Sequence, residues 1–153
     1  MTGGVPPRGF PDAEFDRRVT AAQALMDTRG IDALLVCTEP EVRYFTGFFT
    51  PFWQSPTRPW FVVVPPTGRP IAVVPGIGEE TMGETWVEDI RTWPAPRPDD
   101  DGITLLSQTL VEVAGRTLLD RALDGLKAAG VTRAVVNTHY LGAMVARHLA
   151  ART

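Results

Sequence analysis

The chain is poor in the residues from which crosslinks and reactive centres are built. Of its 153 residues, one is cysteine and two are histidine. A single cysteine, Cys37, excludes an internal disulfide and a CxxC pair and favours a reducing compartment. His139 and His148 have neither HxxxH nor HExxH spacing, so they read as a turn residue and a helix-surface residue, not as zinc ligands. Basic charge is also in short supply. Fifteen Lys and Arg stand against 18 Asp and Glu, a net charge of −3, and the arginines are scattered, which argues against a nucleic-acid partner. No apolar run approaches the ~20 residues that a membrane helix needs. The start, MTGGVPPRGFPD, lacks the apolar core of a signal peptide. The expectation is a soluble, cytoplasmic protein with no membrane partner.

Motifs for phosphate, metal and nucleophilic chemistry are missing as well. Gly76, Ile77 and Gly78 lie between a strand and a helix, as a dinucleotide loop would. Thr81, however, replaces the third glycine, and Glu79 and Glu80 put negative charge where phosphate would sit. Asp99, Asp100 and Asp101 suggest a calcium loop, but Ile103 and Leu110 fall at positions that need oxygen ligands. Helix capping accounts for them better. Cys37 ends an apolar run and reads as a small core residue. Ser55 has no nucleophile elbow around it, and Glu84 and Glu88 read as solvated charges. The expectation is no catalytic residue, no metal and no cofactor within this chain.

What is present is an ordinary α/β pattern. A hydrophobic content of 44% with 22% charged residues fits a globular domain, and the length fits one domain over 1–153. Residues 1–11 hold three glycines and three prolines and read as a loose arm. Asp12 is the expected N-cap of a helix whose apolar stripe is Phe15, Val19, Ala22, Leu25 and Met26, with Gly30 as its stop. Ile31 to Cys37 reads as a strand covered on both faces. Thr38, Glu39 and Pro40 open a short helix that Gly47 ends. Trp60–Val64 and Ile71–Val74, joined by PPTGRP, predict an antiparallel hairpin. A helix over 76–84, an edge strand over 87–93 and a capped helix from Ile103 follow. Two further helices, from Leu118 and from Tyr140, enclose a strand at VTRAVVN. The sum is mixed α/β, with a partly antiparallel sheet of about five strands flanked by helices.

The stretch EVRYFTGFFTPFWQSPTRPW, residues 41–60, concentrates large rings in a loop broken by Pro51 and Pro56. Such a loop either packs inside or meets a partner. Phe45, Phe48 and Phe49 are expected under the sheet. Phe52, Trp53, Gln54, Arg58 and Trp60 are harder to bury together, because Gln54 and Arg58 need polar partners.

Over residues 12–115 the chain resembles the N-terminal domain of the creatinase, prolidase and aminopeptidase P family, the pita-bread metallohydrolases. The resemblance is carried by GIDALLV, VRYFTGF, WFVVVP, IAVVP, DIRTW and the DDG-capped helix, in that order. It implies a non-catalytic domain that mediates subunit association and lends a loop to the mouth of a neighbouring active site. In that family two divalent metal ions sit in a following catalytic domain, held by two aspartates, a histidine and two glutamates. On this reading the present chain is too short to hold that domain. Its partner is a second copy or a catalytic-domain chain. The loop residues Phe52, Trp53, Gln54, Arg58 and Trp60 are then the contact set, with Arg58 suited to grip a carboxylate and Trp53 to wall an apolar pocket.

Residues 110–153 depart from that pattern. GRTLLDRALD, then AAGVTRAVVN and HYL, resemble a helix–strand–helix segment of a sugar-1-phosphate nucleotidyltransferase. The glycine-rich nucleotide loop and metal-binding aspartates of that family have no counterpart here. The two resemblances meeting near Leu110–Arg116 imply a chimera, whose tail (116–153) fills the missing layer by hydrophobic pattern alone. Two alternatives stay open: a nucleotidyltransferase fragment with weak nucleotide binding, and an engineered or recombined scaffold without activity.

Overall fold

A computed structural model describes residues 9–54, 58–115, 118–136 and 142–151. They divide into two compact units, Met1–Gly115 and Arg116–Thr153.

The first unit opens with α1, Asp12–Arg29, which begins one residue earlier than a capping Asp12 would place it. Pro11 occupies the N-cap in extended conformation, and Asp12 and Glu14 lie in the first turn, where negative charge favours the helix dipole. Phe15, Val19 and Met26 turn inward. Leu25, expected in the same stripe, is 56% exposed, because it sits at the margin of the apolar arc. Gly30 adopts φ 61°, and Ile31 N–H reaches back 2.9 Å to the Met26 carbonyl, the double-bonded stop that positive φ permits.

Four strands form one sheet in the order β1 (Leu34–Val36), β2 (Phe61–Val64), β3 (Ile71–Pro75), β4 (Asp89–Trp93). The first two pairings are antiparallel and β3–β4 is parallel, so the chain must cross over between the last two. It does so through a 3-10 turn at Gly76–Gly78 and the short helix α3, Glu79–Gly83. The short helix α2, Glu39–Thr46, links β1 to the aromatic loop and ends at Gly47, φ 74°. β1 is an edge strand and only half buried, not covered on both faces. Cys37, just beyond it, is exposed, so it is not the core residue its apolar neighbours suggest.

Alternation along the strands sorts the core into two layers. Val62, Val64, Ala72 and Val74 pack with Phe15, Val19 and Met26 of α1, Val42 and Phe45 of α2, and Met82 of α3. Val63, Ile71, Val73 and Trp93 pack with Leu106 and Leu110 of α4, Ile103–Ala114. The mixed sheet is thus flanked by helices on both faces. The aspartate run caps α4 as expected: Asp100 Oδ1 accepts the Thr104 N–H at 2.7 Å. Arg91 then ties β4 to α4. Its Nη1 and Nη2 fork onto both Glu112 oxygens at 2.6 and 3.0 Å, while Asp89 receives Nε and Nη2. These hydrogen bonds raise the Arg91 pKa above its ordinary value and hold the Glu112 carboxyl below the usual range.

The second unit holds α5, Leu118–Ala128, and α6, Gly142–Ala151. His148 Nε2 lies 2.8 Å from Asp120 Oδ1 across these helices. The fifth strand expected at VTRAVVN is absent over residues 131–136, and Val135 is 93% exposed. β-branched composition reports fit to a pleated, half-buried surface, and this run has no strand in its own unit, among the described residues, to pair with. Among the described residues the sheet therefore has four strands, not five. Asn137 and the turn histidine, His139, lie outside the described residues.

Candidate functional site

The candidate site is the aromatic loop between α2 and β2, and it is built on a fixed base. Thr46, fully buried, donates its hydroxyl to the Val42 carbonyl at 2.6 Å and accepts the Phe48 N–H at 3.0 Å. This local bonding turns the chain sharply after Gly47. Thr50 repeats the device, its Oγ1 accepting the Phe52 N–H at 3.2 Å. Pro51 cannot continue a helix, so the rings that follow are splayed on a turn.

Three rings anchor the loop. Phe48 (1% exposed) meets Trp60 (3% exposed) at a centroid distance of 5.1 Å, and Trp53 stacks on Trp60 at 6.2 Å. Trp60 in turn lies against Gly78, where an added Cβ would stand 2.2 Å from the indole Cζ3. The Trp60 Nε1 donor is buried without an acceptor among the described residues. Trp60 therefore fastens the loop to the crossover between β3 and α3.

Outside this base the residues stay open. Phe49 and Phe52 are each 49% exposed, as is Tyr44. The Arg43 guanidinium lies over the Phe49 ring at 5.2 Å, and that of Arg58 over Phe52 at 5.9 Å. Phe49, expected under the sheet, is a surface ring, because Gly47 and Thr50 rotate it away from Phe45 and Phe48, which are buried.

Of the five residues singled out from the sequence, Phe52 and Gln54 are exposed, Trp53 and Arg58 half-buried, and Trp60 buried. The structure brings Trp53 to Trp60 and Arg58 to Phe52. The sequence reading missed Arg43 and Phe49. Their signal lay in the short helix: Val42, Phe45 and Thr46 fill its inner face, which leaves Arg43 and Tyr44 outside. Such ring–guanidinium pairs hold a large apolar contact area in a defined geometry while leaving N–H donors for an oxyanion. Ser55 lies outside the described residues.

The profile of the Creatinase/Prolidase N-terminal domain matches residues 18–140. The chain belongs to that family. A solved dipeptidase, PepE from Mycobacterium ulcerans, superposes on this creatinase/prolidase N-terminal domain with a TM-score of 0.55 and 25% identity, over 66% of this chain and 27% of that one. A proline dipeptidase from Streptococcus pneumoniae shares the fold at a TM-score of 0.53 and 16% identity, over 87% of this chain and 97% of that one. The N-terminal domain of an X-Pro dipeptidase from Streptococcus pyogenes shares it at 0.52 and 15%, over 61% and 67%. A stretch of 45 residues is 56% identical to the N-acetylmuramate alpha-1-phosphate uridylyltransferase of Caulobacter vibrioides, or 29% of this chain and 19% of that protein. The chain thus spans about a quarter of PepE and a fifth of the uridylyltransferase. The family match runs past Gly115, where the first unit ends.

Among the described residues, no group of three or more His, Cys, Asp or Glu side chains is placed to hold a metal ion. Nor is any described helix long and apolar enough to cross a membrane.

Proposed function

We propose that this creatinase/prolidase N-terminal domain is a non-catalytic association module of an Xaa-Pro peptidase-type metallohydrolase. It pairs with a second copy or with a catalytic-domain chain and presents its aromatic loop to that neighbour. The single observation that supports the reading is the split within one loop. Phe48, Trp53 and Trp60 form the base, while Phe49 and Phe52, each 49% exposed and each under a guanidinium, stand outside it. Rings held on a rigid base lose little side-chain entropy on contact, which suits an interface. Arg58 and Gln54 at its rim are the groups for a carboxylate or amide of the neighbour's substrate. Metal and hydrolysis belong to the neighbour. Light scattering over a concentration series tests the pairing, and addition of the chain to a family catalytic domain tests the loop's contribution to dipeptide turnover.

The uridylyltransferase match favours a second reading, in which residues 116–153 are a recombined segment that keeps weak affinity for a nucleotide. A cleft of about 440 Å3 in the second unit is lined by Leu123, Leu126, Lys127, Val131 and Arg133 among others, so two cations border it. Titration calorimetry with UTP tests it: saturable heat supports the reading, and its absence removes it.

A further inference from the structure

We infer that the cleft between α1, α2 and the Gly9–Phe10 segment binds a small carboxylate carried on an aromatic or other apolar group. The cleft, open to solvent, has a volume of about 500 Å3 and is lined chiefly by Phe10, Phe15, Arg18, Glu39, Arg43 and Tyr44. It involves none of residues 51–60, and the inference concerns a ligand of the chain alone. It shares Arg43 with the ring pairs of the association reading but is tested on the chain by itself.

Two guanidinium groups make the cleft more than an apolar hollow. The Arg18 side chain is only 10% exposed and is held on three sides. Its Nε donates to Glu14 Oε1 at 2.9 Å, its Nη1 donates to the Tyr44 carbonyl at 2.9 Å, and the Phe10 and Tyr44 rings lie 4.5 and 4.6 Å from Cζ. A guanidinium carries five N–H donors. Those on Arg18 Nη2 meet no acceptor among the described residues. Glu14 does not satisfy the group fully either, because Arg17 Nε and Nη2 also donate to its two oxygens. Arg43 makes no hydrogen bond or ion pair among the described residues and rests on the Phe49 ring.

Charge selects the ligand class. Arg18 and Arg43 against Glu39 leave one positive charge on the lining, which matches a monoanion and underserves a phosphate dianion. A planar guanidinium grips a carboxylate through two parallel N–H donors. Phe10, Phe15 and Tyr44 supply rings for the apolar body.

The test is an NMR titration of the 15N-labelled full chain with 3-phenylpropionate, following backbone amides and arginine Nε–H signals. Expected are saturable shifts centred on Phe10, Arg18 and Tyr44. The neutral analogue 3-phenylpropanamide should bind at least about tenfold more weakly, and phenyl phosphate no better than the acid. Arg43→Gln, at an exposed position, should weaken the acid about tenfold while leaving the thermal midpoint unchanged. Equal binding of acid and amide, tighter binding of phenyl phosphate, an unaffected Arg43→Gln variant, or no shifts around Arg18 would each overturn the inference.

Discussion

Gly78 and Trp60 are packed so closely that the indole occupies the space of a side chain at position 78, with Cζ3 2.2 Å from where a Cβ would be. The contact joins the crossover after β3 to the last ring of the aromatic loop. Gly102 makes the same contact with Trp93, 2.5 Å from Nε1, and in addition has φ 78°. Gly115 has φ 69° but open space around it.

These three positions separate steric from backbone cost. Gly78→Ala should destabilise by roughly 1–3 kcal/mol through overpacking alone. Gly115→Ala should cost about 1 kcal/mol through positive φ alone. Gly102→Ala combines both and should be the worst of the three. Urea midpoints of the variants check the order. A Gly115 variant as damaging as Gly102→Ala would contradict it.

Glu14 should give the chain a measurable acid dependence. Hydrogen bonds from Arg17 and Arg18 hold its carboxyl down to about 2, against an ordinary 4.5. The folded-state pKa is below the unfolded one, so the stabilisation is fully present above about 4.5 and is lost as pH falls toward 2. Glu14→Gln should therefore be less stable than the parent at pH 6, and the gap should close by pH 2. Thermal midpoints from pH 6 to 2 read this directly. A constant gap would mean that Glu14 acts through packing and not through charge.

Arg91 is the tie between the edge strand and α4. Its side chain is 21% exposed and serves Asp89, Glu112 and Thr109 together. Arg91→Met, which keeps the apolar stem, should cost on the order of 1–3 kcal/mol, because two carboxylates lose a charge-assisted partner. In the same variant the Glu112 titration, followed by 13C NMR, should move up to the ordinary carboxylate range. An unmoved Glu112 would show that the fork does not form in solution.

Much of this fold could be read from periodicity. Phe15, Val19 and Met26 lie inward as their spacing requires, and β2 and β3 pair antiparallel across PPTGRP. Periodicity failed where a residue's fate depends on a neighbour it cannot specify. Cys37 and Leu25 continue apolar patterns yet fall just past the edge of the covered surface. VTRAVVN has strand composition without a partner strand in its own unit among the described residues. The loop was legible as a cluster of rings, but not which rings would face out. Trp60 was named for contact and is buried, since Gly78, with no side chain, leaves room for its indole. Phe49 was assigned to the core and is exposed, because the Thr46 and Thr50 turns set its direction.

The surface rings should carry association without carrying the fold. Phe49→Ser with Phe52→Ser removes two half-exposed rings and leaves Phe48, Trp53 and Trp60 in place. The thermal midpoint should fall by no more than a few degrees, since surface changes of this kind fall within about 0.5 kcal/mol each. A collapse of the midpoint would place both rings in the structural core.

The central claim is that this family domain associates through its aromatic loop, and molar mass in solution tests it most directly. Light scattering of the full chain across a concentration series should show a concentration-dependent rise from 16.7 kDa toward twice that mass, absent from the Phe49→Ser, Phe52→Ser variant. If a catalytic-domain chain is the partner instead, the rise should appear only on mixing, and the same double variant should abolish it. A parent chain that stays monomeric both alone and with a family catalytic domain, or a double variant that associates as well as the parent, would contradict the account.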